Sequence, residues 1–523
     1  MKILSIDFSR TKGKGSVQDK RIKKYTKPPA MANVKNKEEK NSLIIQYLQD
    51  THLHCLKYIG EKDRTMVEKI FWLLMITLSV LFCAGLIHKV WLKWNNSPVI
   101  VSFAETATPV WQIPYPAVTL CPEIKVMQTY RYCVNSNIND TNNKENQFYD
   151  LGTLQNKLIT ILKLFFYQVS PQIGDVIIGT MFKNKIISDL TLFSPILTEE
   201  GLCYTFNIIG ADELLRIDND YHYYGSSNKS LTWTLENGYP PNTPLETYPH
   251  RGIGSAENGG LTLLLKAAKK FFDYLCSGAT QGFKVVLHNP AEFPRLSQQY
   301  IRIPLGQDVV VAVKPKMMTT SEGLKPYNPI RRQCYFPSER YLRFFKVYTQ
   351  TNCETECFTN FTYVRCGCVH FGLPHGPEMQ VCSIGKRACL NNARMELATV
   401  EIESYLEEGT NADDVLEEAR LVAKKCICLP ACTSLEYEAE TSQSDFDIVM
   451  FLKALHFLSK EEQDAYYTQT KIFFKERQFI KVQRSELYGY TDFLANCGGL
   501  LGVFLGFSIL SIVEIIYFLT LRL

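Results

Sequence analysis

Residues 500–519 read LLGVFLGFSILSIVEIIYFL, an apolar run of 20 residues with one charge, Glu514. A helix of this length crosses the ~30 Å hydrocarbon core of a bilayer. The triplet Gly506-Phe507-Ser508 lies in its middle. A helix that faces only lipid has no need of such a triplet, whereas small residues let helices approach and let backbone carbonyls and a hydroxyl face an ion. The stretch therefore predicts a pore-lining span, with ordinary small-residue packing between helices as the alternative reading.

A second apolar run covers residues 70–87, contains no charge and is bordered by Lys69 and by His88-Lys89. Residues 1–69 before it hold 16 Lys and Arg against 8 Asp and Glu, while the rest of the chain holds 41 against 45. Basic segments beside a span stay on the cytoplasmic side. The charge pattern therefore predicts two spans with both termini in the cytosol.

The chain divides accordingly into segments with distinct compositions. We expect a multi-pass plasma-membrane protein, with a lipid bilayer as its surroundings. The predicted segments are a cytoplasmic tail at 1–69 with a re-entrant element at about 45–60, a first transmembrane helix at 70–91, an extracellular domain at 92–493, a second, pore-lining helix at 494–519 and a cytoplasmic end at 520–523.

Cysteine usage indicates an oxidising compartment for the central segment. Fourteen of the 17 cysteines lie between the two apolar runs, and an even number confined to one segment is typical of a disulfide framework. Four glycosylation sequons fall in the same segment. We expect glycosylation at Asn139, Asn228 and Asn360, and not at Asn95, which lies beside the membrane and precedes Pro98. The C-x-C and C-x3-C spacings also occur in zinc sites, but outside the cell disulfides are favoured, so we expect no metal.

The predicted fold class is a membrane protein with two transmembrane helices and a large disulfide-rich α+β ectodomain built on an antiparallel sheet. Residues 472–482 alternate in polarity and predict a strand that leads down to the membrane. Overall charge is near neutral, which argues against a nucleic-acid partner. No phosphate-binding loop, nucleophile elbow or H-E-x-x-H motif is present, so we expect no enzyme and no cofactor.

Seven stretches occur in the order typical of one family. They are YPAVTLC at 115–121, GLCYTFN at 201–207, LHNPAEFP at 287–294, RQCYFPSE at 332–339, C-x3-C-x8-C-x-C at 353–368, CICLPAC at 426–432 and residues 494–514. With a span on either side, the sequence resembles the epithelial sodium channel/degenerin family, and within it the insect pickpocket branch. The resemblance covers roughly residues 43–519.

The resemblance implies a homo- or heterotrimer with related subunits and Na⁺ as the permeant ion. Gly506, Phe507 and Ser508 match the family's selectivity motif, so three copies would place a ring of oxygens on one axis. Glu514 is expected near the cytoplasmic mouth, since an ionisable group within a span usually faces a pore or cavity; a snorkelling interfacial carboxylate is the alternative.

Further positions match the family's gating elements. Ala495, followed by Gly498 and Gly499, corresponds to the position at the outer mouth where a small side chain permits closure. His54 and Cys55 align with a re-entrant element before the first span, in which Cys55 replaces a glycine. Because glycine there allows a backbone shape that cysteine resists, gating and conduction as a homotrimer depend on this substitution.

The resemblance also implies a disulfide pairing, a ladder that stiffens the ectodomain. The implied pairs are Cys121–Cys203, Cys334–Cys432, Cys353–Cys428, Cys357–Cys426, Cys366–Cys389 and Cys368–Cys382, which leaves Cys133 and Cys276 as a further pair. The function expected from all this is a sodium-selective, amiloride-sensitive channel subunit gated through its extracellular domain. The alternatives are a non-conducting auxiliary subunit or surface receptor of the same family, and an ATP-gated trimeric receptor channel.

Overall fold

The computed structural model describes residues 47, 51, 53, 55–61, 63–96, 99–123, 170–216, 233–269, 272, 279–297, 299–406, 414–454 and 464–520. The chain forms two compact units. The helical unit comprises Met1–Asn96 and Tyr488–Leu523, and the large unit comprises Ser97–Leu487.

The described helices are α1 Leu56–Gly60, α2 Met66–Asn96, α3 Ile173–Val176, α4 Ala211–Leu214, α5 Pro329–Arg332, α6 Gln350–Cys366, α7 Arg387–Leu406, α8 Asp414–Lys425, α9 Ile448–Ala454, α10 Tyr490–Leu505 and α11 Ile509–Thr520. The described strands are β1 Val99–Phe103, β2 Thr108–Pro109, β3 Ala117–Pro122, β4 Ile177–Phe182, β5 Lys185–Ile186, β6 Phe193–Thr198, β7 Gly201–Phe206, β8 Leu261–Ala268, β9 Phe283–His288, β10 Ile301–Ile303, β11 Gln307–Thr320, β12 Ser434–Asp445, β13 Ala465–Phe474, β14 Gln478–Phe479 and β15 Val482–Glu486.

In the helical unit, α2 is long and apolar enough to cross a bilayer. It extends beyond the predicted 70–91 at both ends and leaves most of its apolar side chains exposed, as a lipid-facing helix does. The prediction of one continuous helix at 494–519 is wrong: α10 and α11 meet at an angle of 70°. The helical unit therefore contains one clear candidate transmembrane helix, α2. It contains a second candidate span if α10 and α11 cross the bilayer together.

The large unit contains two main sheets. One has eight strands in the order β1-β15-β11-β13-β8-β4-β5, with β12 also paired to β11; the other has five in the order β10-β9-β3-β7-β6. The prediction of an antiparallel sheet needs correction, because β11 runs parallel to both β13 and β15. These strands follow β11 only after a helical excursion through α6, α7 and α8, and a long crossover is what parallel neighbours require.

The predicted strand at 472–482 is also interrupted. Strand β13 ends at Phe474, two residues form β14, and β15 begins at Val482. The alternating pattern of residue types is therefore shared among three strands in two sheets. The last of them, β15, pairs with β1 and β11, and three residues separate its end from the start of α10.

Helices α6, α7 and α8 share a small core of their own. Helix α6 begins after Thr349, whose hydroxyl accepts the Asn352 N–H at 3.1 Å, a typical N-cap. It ends at Gly367, which adopts a left-handed φ of 73°. Small side chains such as Ala393 and Ala419 are fully buried where the helices meet. Cys366 and Cys368 belong to this small core, whereas Cys353 and Cys357 belong to the main core of the large unit.

Candidate functional site

The predicted filter triplet coincides with the break between α10 and α11. Gly506 has φ 63° and ψ 20°, the left-handed conformation that glycine adopts at least cost. Its N–H donates to the Gly502 carbonyl at 3.0 Å, and the Phe507 N–H donates to the Leu501 carbonyl at 3.3 Å. This paired pattern closes a helix end. The sequence therefore stops α10 at the first residue of the triplet.

Two serines restart the helix on the other side of the break. The Ser508 N–H donates to Ser511 Oγ at 3.1 Å, the Ser511 N–H donates to Ser508 Oγ at 3.4 Å, and the two hydroxyl oxygens lie 3.3 Å apart. The arrangement is a capping box with serine in the place of the usual Glu or Gln. Ser511 is buried and Ser508 is exposed. Sequence reasoning missed Ser511, although the S-x-x-S spacing marks it.

A residue of α2 supports the same break. Ser79 Oγ donates to the Phe504 carbonyl at 2.9 Å, and the rings of Phe82 and Phe504 lie 5.5 Å apart. Carbonyls in the last turn of a helix have no partner within the helix. Ser79 supplies one to Phe504, and an unpaired carbonyl in the middle of an apolar span would be costly in lipid. Sequence analysis gave no role to Ser79.

The same two helices also meet at the opposite end of α10. Trp91 and Trp94 contact the Phe493 ring at centroid distances of 5.9 and 5.3 Å. Lys93 Nζ donates to the Tyr488 hydroxyl at 2.6 Å. Tryptophan and lysine at the end of a span are typical of a membrane interface. Helices α2 and α10 thus contact one another along the length of α10.

The predicted outer-mouth residues lie on α10 and make few contacts. Ala495 is exposed, and so are Gly498 and Gly499. A Cβ added at either glycine would meet nothing within 4 Å. The described chain therefore leaves room at these three positions, which an approaching neighbour could fill.

Glu514 is half-buried on α11. It lies three residues after the buried Ser511, so the two share one face of the helix. It lies six residues after the exposed Ser508, which places it about 120° away around the helix axis. The structure therefore does not align Glu514 with the Ser508 hydroxyl.

The re-entrant element is described only in part, and His54 lies outside the described residues. Cys55 adopts φ 67° and ψ −13°, in the left-handed region that glycine prefers. An L side chain there costs about 1–2 kcal/mol. On its two sides, Tyr58 stacks on Trp72 of α2 at 4.7 Å and Tyr47 contacts Phe518 of α11 at 5.2 Å. Of the described residues of this element, Tyr58 thus contacts the start of α2 and Tyr47 contacts the end of α11.

The described residues of the large unit form six disulfides, at the six pairings that the resemblance implies for them. The bridges are Cys121–Cys203, Cys334–Cys432, Cys353–Cys428, Cys357–Cys426, Cys366–Cys389 and Cys368–Cys382. Their Cα separations of 4.5 to 6.0 Å lie in the ordinary range. The predicted partners Cys133 and Cys276 lie outside the described residues, as do the sequons at Asn139 and Asn228; Asn360 lies on α6.

The cysteines also bear on the metal prediction. The sulfurs of Cys353, Cys357 and Cys428 lie within 4.8 Å of one another. Each is already in a disulfide, and the ligand form of cysteine is the free thiolate. The described part of the chain therefore offers no thiolate cluster to a metal at this point.

The structure combines a long apolar helix, a bent apolar pair and a disulfide-rich unit. The chain belongs to the family described as "Amiloride-sensitive sodium channel", whose profile matches residues 47–518. This is a family of ion channels and not of enzymes.

The chain is similar to several curated proteins along most of its length. It is 27% identical to Pickpocket protein 28 of Drosophila melanogaster over 92% of this chain and 78% of that protein. It is 20% identical to Sodium channel protein Nach of the same species, over 89% of this chain and 84% of that one. A shorter match, 27% identical over 52% of this chain and 50% of the relative, joins it to the human Bile acid-sensitive ion channel. The family predicted from the seven motifs is confirmed.

Proposed function

We propose that the chain is a subunit of a sodium-selective, amiloride-sensitive cation channel gated through its extracellular domain. The observation that carries the proposal is the break at residues 506–508, where the backbone leaves the helix and Ser508 is exposed. Oxygens freed from a helix ladder are what an ion needs in place of its water shell. The name of the Nach relative points to Na⁺, and the family description includes amiloride.

In the proposed mechanism three subunits surround one axis in the plasma membrane, with all termini in the cytosol. Carbonyl oxygens of the triplet and three Ser508 hydroxyls form the narrowest ring, which favours the small Na⁺ ion over K⁺. Glu514 raises the local cation concentration on the cytoplasmic side. A stimulus that rearranges the extracellular domain opens the helix near Ala495, and ions then move down their gradient.

The experiment is a two-electrode recording from oocytes with ion substitution and amiloride. Replacing Ser508 with valine adds bulk and removes the hydroxyl, so we expect a smaller current or a changed ranking of Na⁺, Li⁺ and K⁺. Thr520→Val is the matched control, since the Thr520 hydroxyl bonds only to Ile516 of its own helix at 2.7 Å. Unaltered conductance and selectivity in the Ser508 variant would refute the filter assignment.

One observation favours a second candidate, a non-conducting auxiliary subunit of the same family. Cys55 occupies a left-handed position at which the family's glycine would be unstrained. We expect Cys55→Gly, expressed alone, to raise any current the wild type carries. Ala495→Val, which props the mouth open in the proposed mechanism, provides the companion variant. Current in either variant supports a pore, whereas none in both, with the protein at the cell surface, supports the auxiliary role.

The third alternative, an ATP-gated receptor channel, loses support because the family profile covers residues 47–518. An ATP-evoked current in the same oocytes would restore it. The extracellular stimulus is a separate question from the pore, and the recording with amiloride addresses the pore alone.

A further inference from the structure

A cavity of about 490 Å³ opens in the large unit beside α6 and α8. Its apolar wall includes the buried side chains of Leu342 and Met379, together with Tyr363, Val364 and Val422. Pockets that hold small molecules have volumes of about 300–1,000 Å³ and mostly apolar walls with a few polar groups. The cavity matches that description in both size and lining.

Two disulfides fix one side of this cavity. Cys353, Cys357 and Cys426 line it, and each belongs to a bridge between α6 and the segment after α8. The wall therefore cannot spread far without breaking a covalent bond. A pocket held open in this way spares a ligand part of the free energy of ordering its site.

The carboxylates around the cavity are already occupied. Glu356 accepts the backbone N–H groups of Arg343 at 3.0 Å and of Phe344 at 2.8 Å. Glu378 pairs with the Arg343 guanidinium. Among the polar groups of the wall, the Glu356 carboxylate is therefore paired with backbone N–H groups, and the Glu378 carboxylate is paired with the Arg343 guanidinium.

The remaining cations of the wall, Arg340 and Lys425, form no such pair, although Arg340 interacts electrostatically with Glu356. Within the described residues no carboxylate lies within ion-pair distance of either side chain. Arg340 donates one hydrogen bond, from Nη2 to the Lys425 carbonyl at 3.2 Å, while its Nε is buried and has no acceptor. A buried donor left unsatisfied is unfavourable. An anionic group in the cavity would supply a charged partner to the Arg340 guanidinium and to the exposed Lys425 ammonium.

We propose that the cavity binds a small amphipathic carboxylate, with its anionic head at Arg340 and Lys425 and its apolar body against Leu342, Met379 and Val422. A guanidinium presents donors in a planar fork that matches a carboxylate. The largely apolar wall disfavours a ligand with several charges and requires a hydrocarbon or aromatic body. Because Tyr363 and Val364 of α6 and Val422 of α8 line the cavity, the ligand would contact two helices that the bridges at Cys353 and Cys357 already hold together.

The test uses the full chain, purified in nanodiscs from insect cells so that any glycan on Asn360, which also lines the cavity, is present. The probe is phenylbutyrate and the matched neutral compound is phenylbutanol. Titration calorimetry, with empty nanodiscs as the blank, gives the affinity of each. We expect saturable binding of phenylbutyrate and at least about tenfold weaker binding of phenylbutanol, because a hydrogen bond to a charged group is worth that much.

Three variants locate the binding. Arg340→Gln should weaken phenylbutyrate binding about tenfold or more, and Val422→Trp should abolish it by filling the cavity. Lys424→Gln removes an exposed charge next to Lys425 that does not line the cavity, and should leave binding unchanged.

Several results would overturn the proposal. They are an absence of saturable phenylbutyrate binding, equal affinity for the acid and the alcohol, or equal binding by the Arg340 and Lys424 variants. The comparison of the two compounds uses the wild-type chain, so it decides the matter even if a variant fails to fold. No channel current enters the measurement, so its outcome is independent of the proposed pore.

Discussion

The cysteine-rich helices of the large unit and the break in the last apolar helix are held in contrasting ways. Helix α6 and the residue pair after it are tied by four disulfides, through Cys353, Cys357, Cys366 and Cys368. The described part of the helical unit holds its break with noncovalent contacts alone, and its described cysteines are free. Covalent ties suit a part that must keep its shape, whereas weak bonds suit a part that opens on fast timescales.

The largest effect is expected when one of the disulfides of the large unit is removed. Cys353→Ser with Cys428→Ser opens a loop of 75 residues and should cost about 2–4 kcal/mol of unfolding free energy. Thermal unfolding of the purified chain measures it. Cys497→Ser, at a free cysteine, is the control and should change little. A double variant as stable as that control would show that the bridge adds nothing to the stiffness of the large unit.

A second test varies the pH, because the large unit contains a carboxyl group, that of Glu292, whose pKa is raised towards neutrality. Burial, followed by the charge of Glu436, raises the pKa of Glu292 from 4.5 to about 7. The folded state therefore binds the proton of Glu292 more tightly than the unfolded state does. The stability that this proton adds to the fold is fully present below pH 4.5 and is lost as the pH rises through 7. The side chain is partly exposed, so we expect a loss of about 1–2 kcal/mol.

Unfolding curves recorded between pH 4 and pH 8 measure this loss. Glu292→Gln should flatten the dependence, while Glu438→Gln, at an exposed carboxyl on the same strand as Glu436, should leave it intact. The same slope in the wild type and the Glu292 variant would assign the effect to another group.

The smallest expected effect concerns the hydrogen-bonded break. Ser511→Ala removes half of the capping box and should cost about 1 kcal/mol locally. That loosens the bend and frees the Ser508 N–H while leaving all three triplet residues in place, so we expect a shift in the Na⁺ to K⁺ permeability ratio with amiloride block retained. Thr520→Ala is the control on the same helix. If the two variants conduct alike, the box does not position Ser508.

The sequence predicted which residues form the main elements of this molecule better than it predicted how those elements are arranged. Residue types alone singled out the triplet, and the seven motifs led to the six disulfide pairs that the structure contains. The bend did not follow from the sequence, because apolarity over 500–519 reports length and not continuity. The bend depends on the left-handed conformation of Gly506 and on the hydroxyl of Ser511. In the sequence, Ser511 is only one polar residue within an apolar run.

The sheet was harder to predict for another reason. Strand β11 pairs in parallel with strands that lie more than 150 residues further along the chain. A pattern within a short stretch of sequence cannot predict pairing at that separation. Alternation at 472–482 was real, but it did not show that Phe474 and Val482 belong to separate strands. By contrast Cys55 was noticed as an unusual replacement for glycine, and its φ of 67° gives that substitution a physical meaning.

The central claim is that the break between α10 and α11 faces the path of the ions. The most direct measurement is cadmium block of Ser508→Cys channels applied from the bath, compared with Ser511→Cys and wild type, which share the free cysteines Cys55, Cys83 and Cys497. The exposed position of Ser508 predicts rapid block there alone, and little at the buried Ser511. Block that is absent at Ser508, or equal at the two positions, would contradict the account.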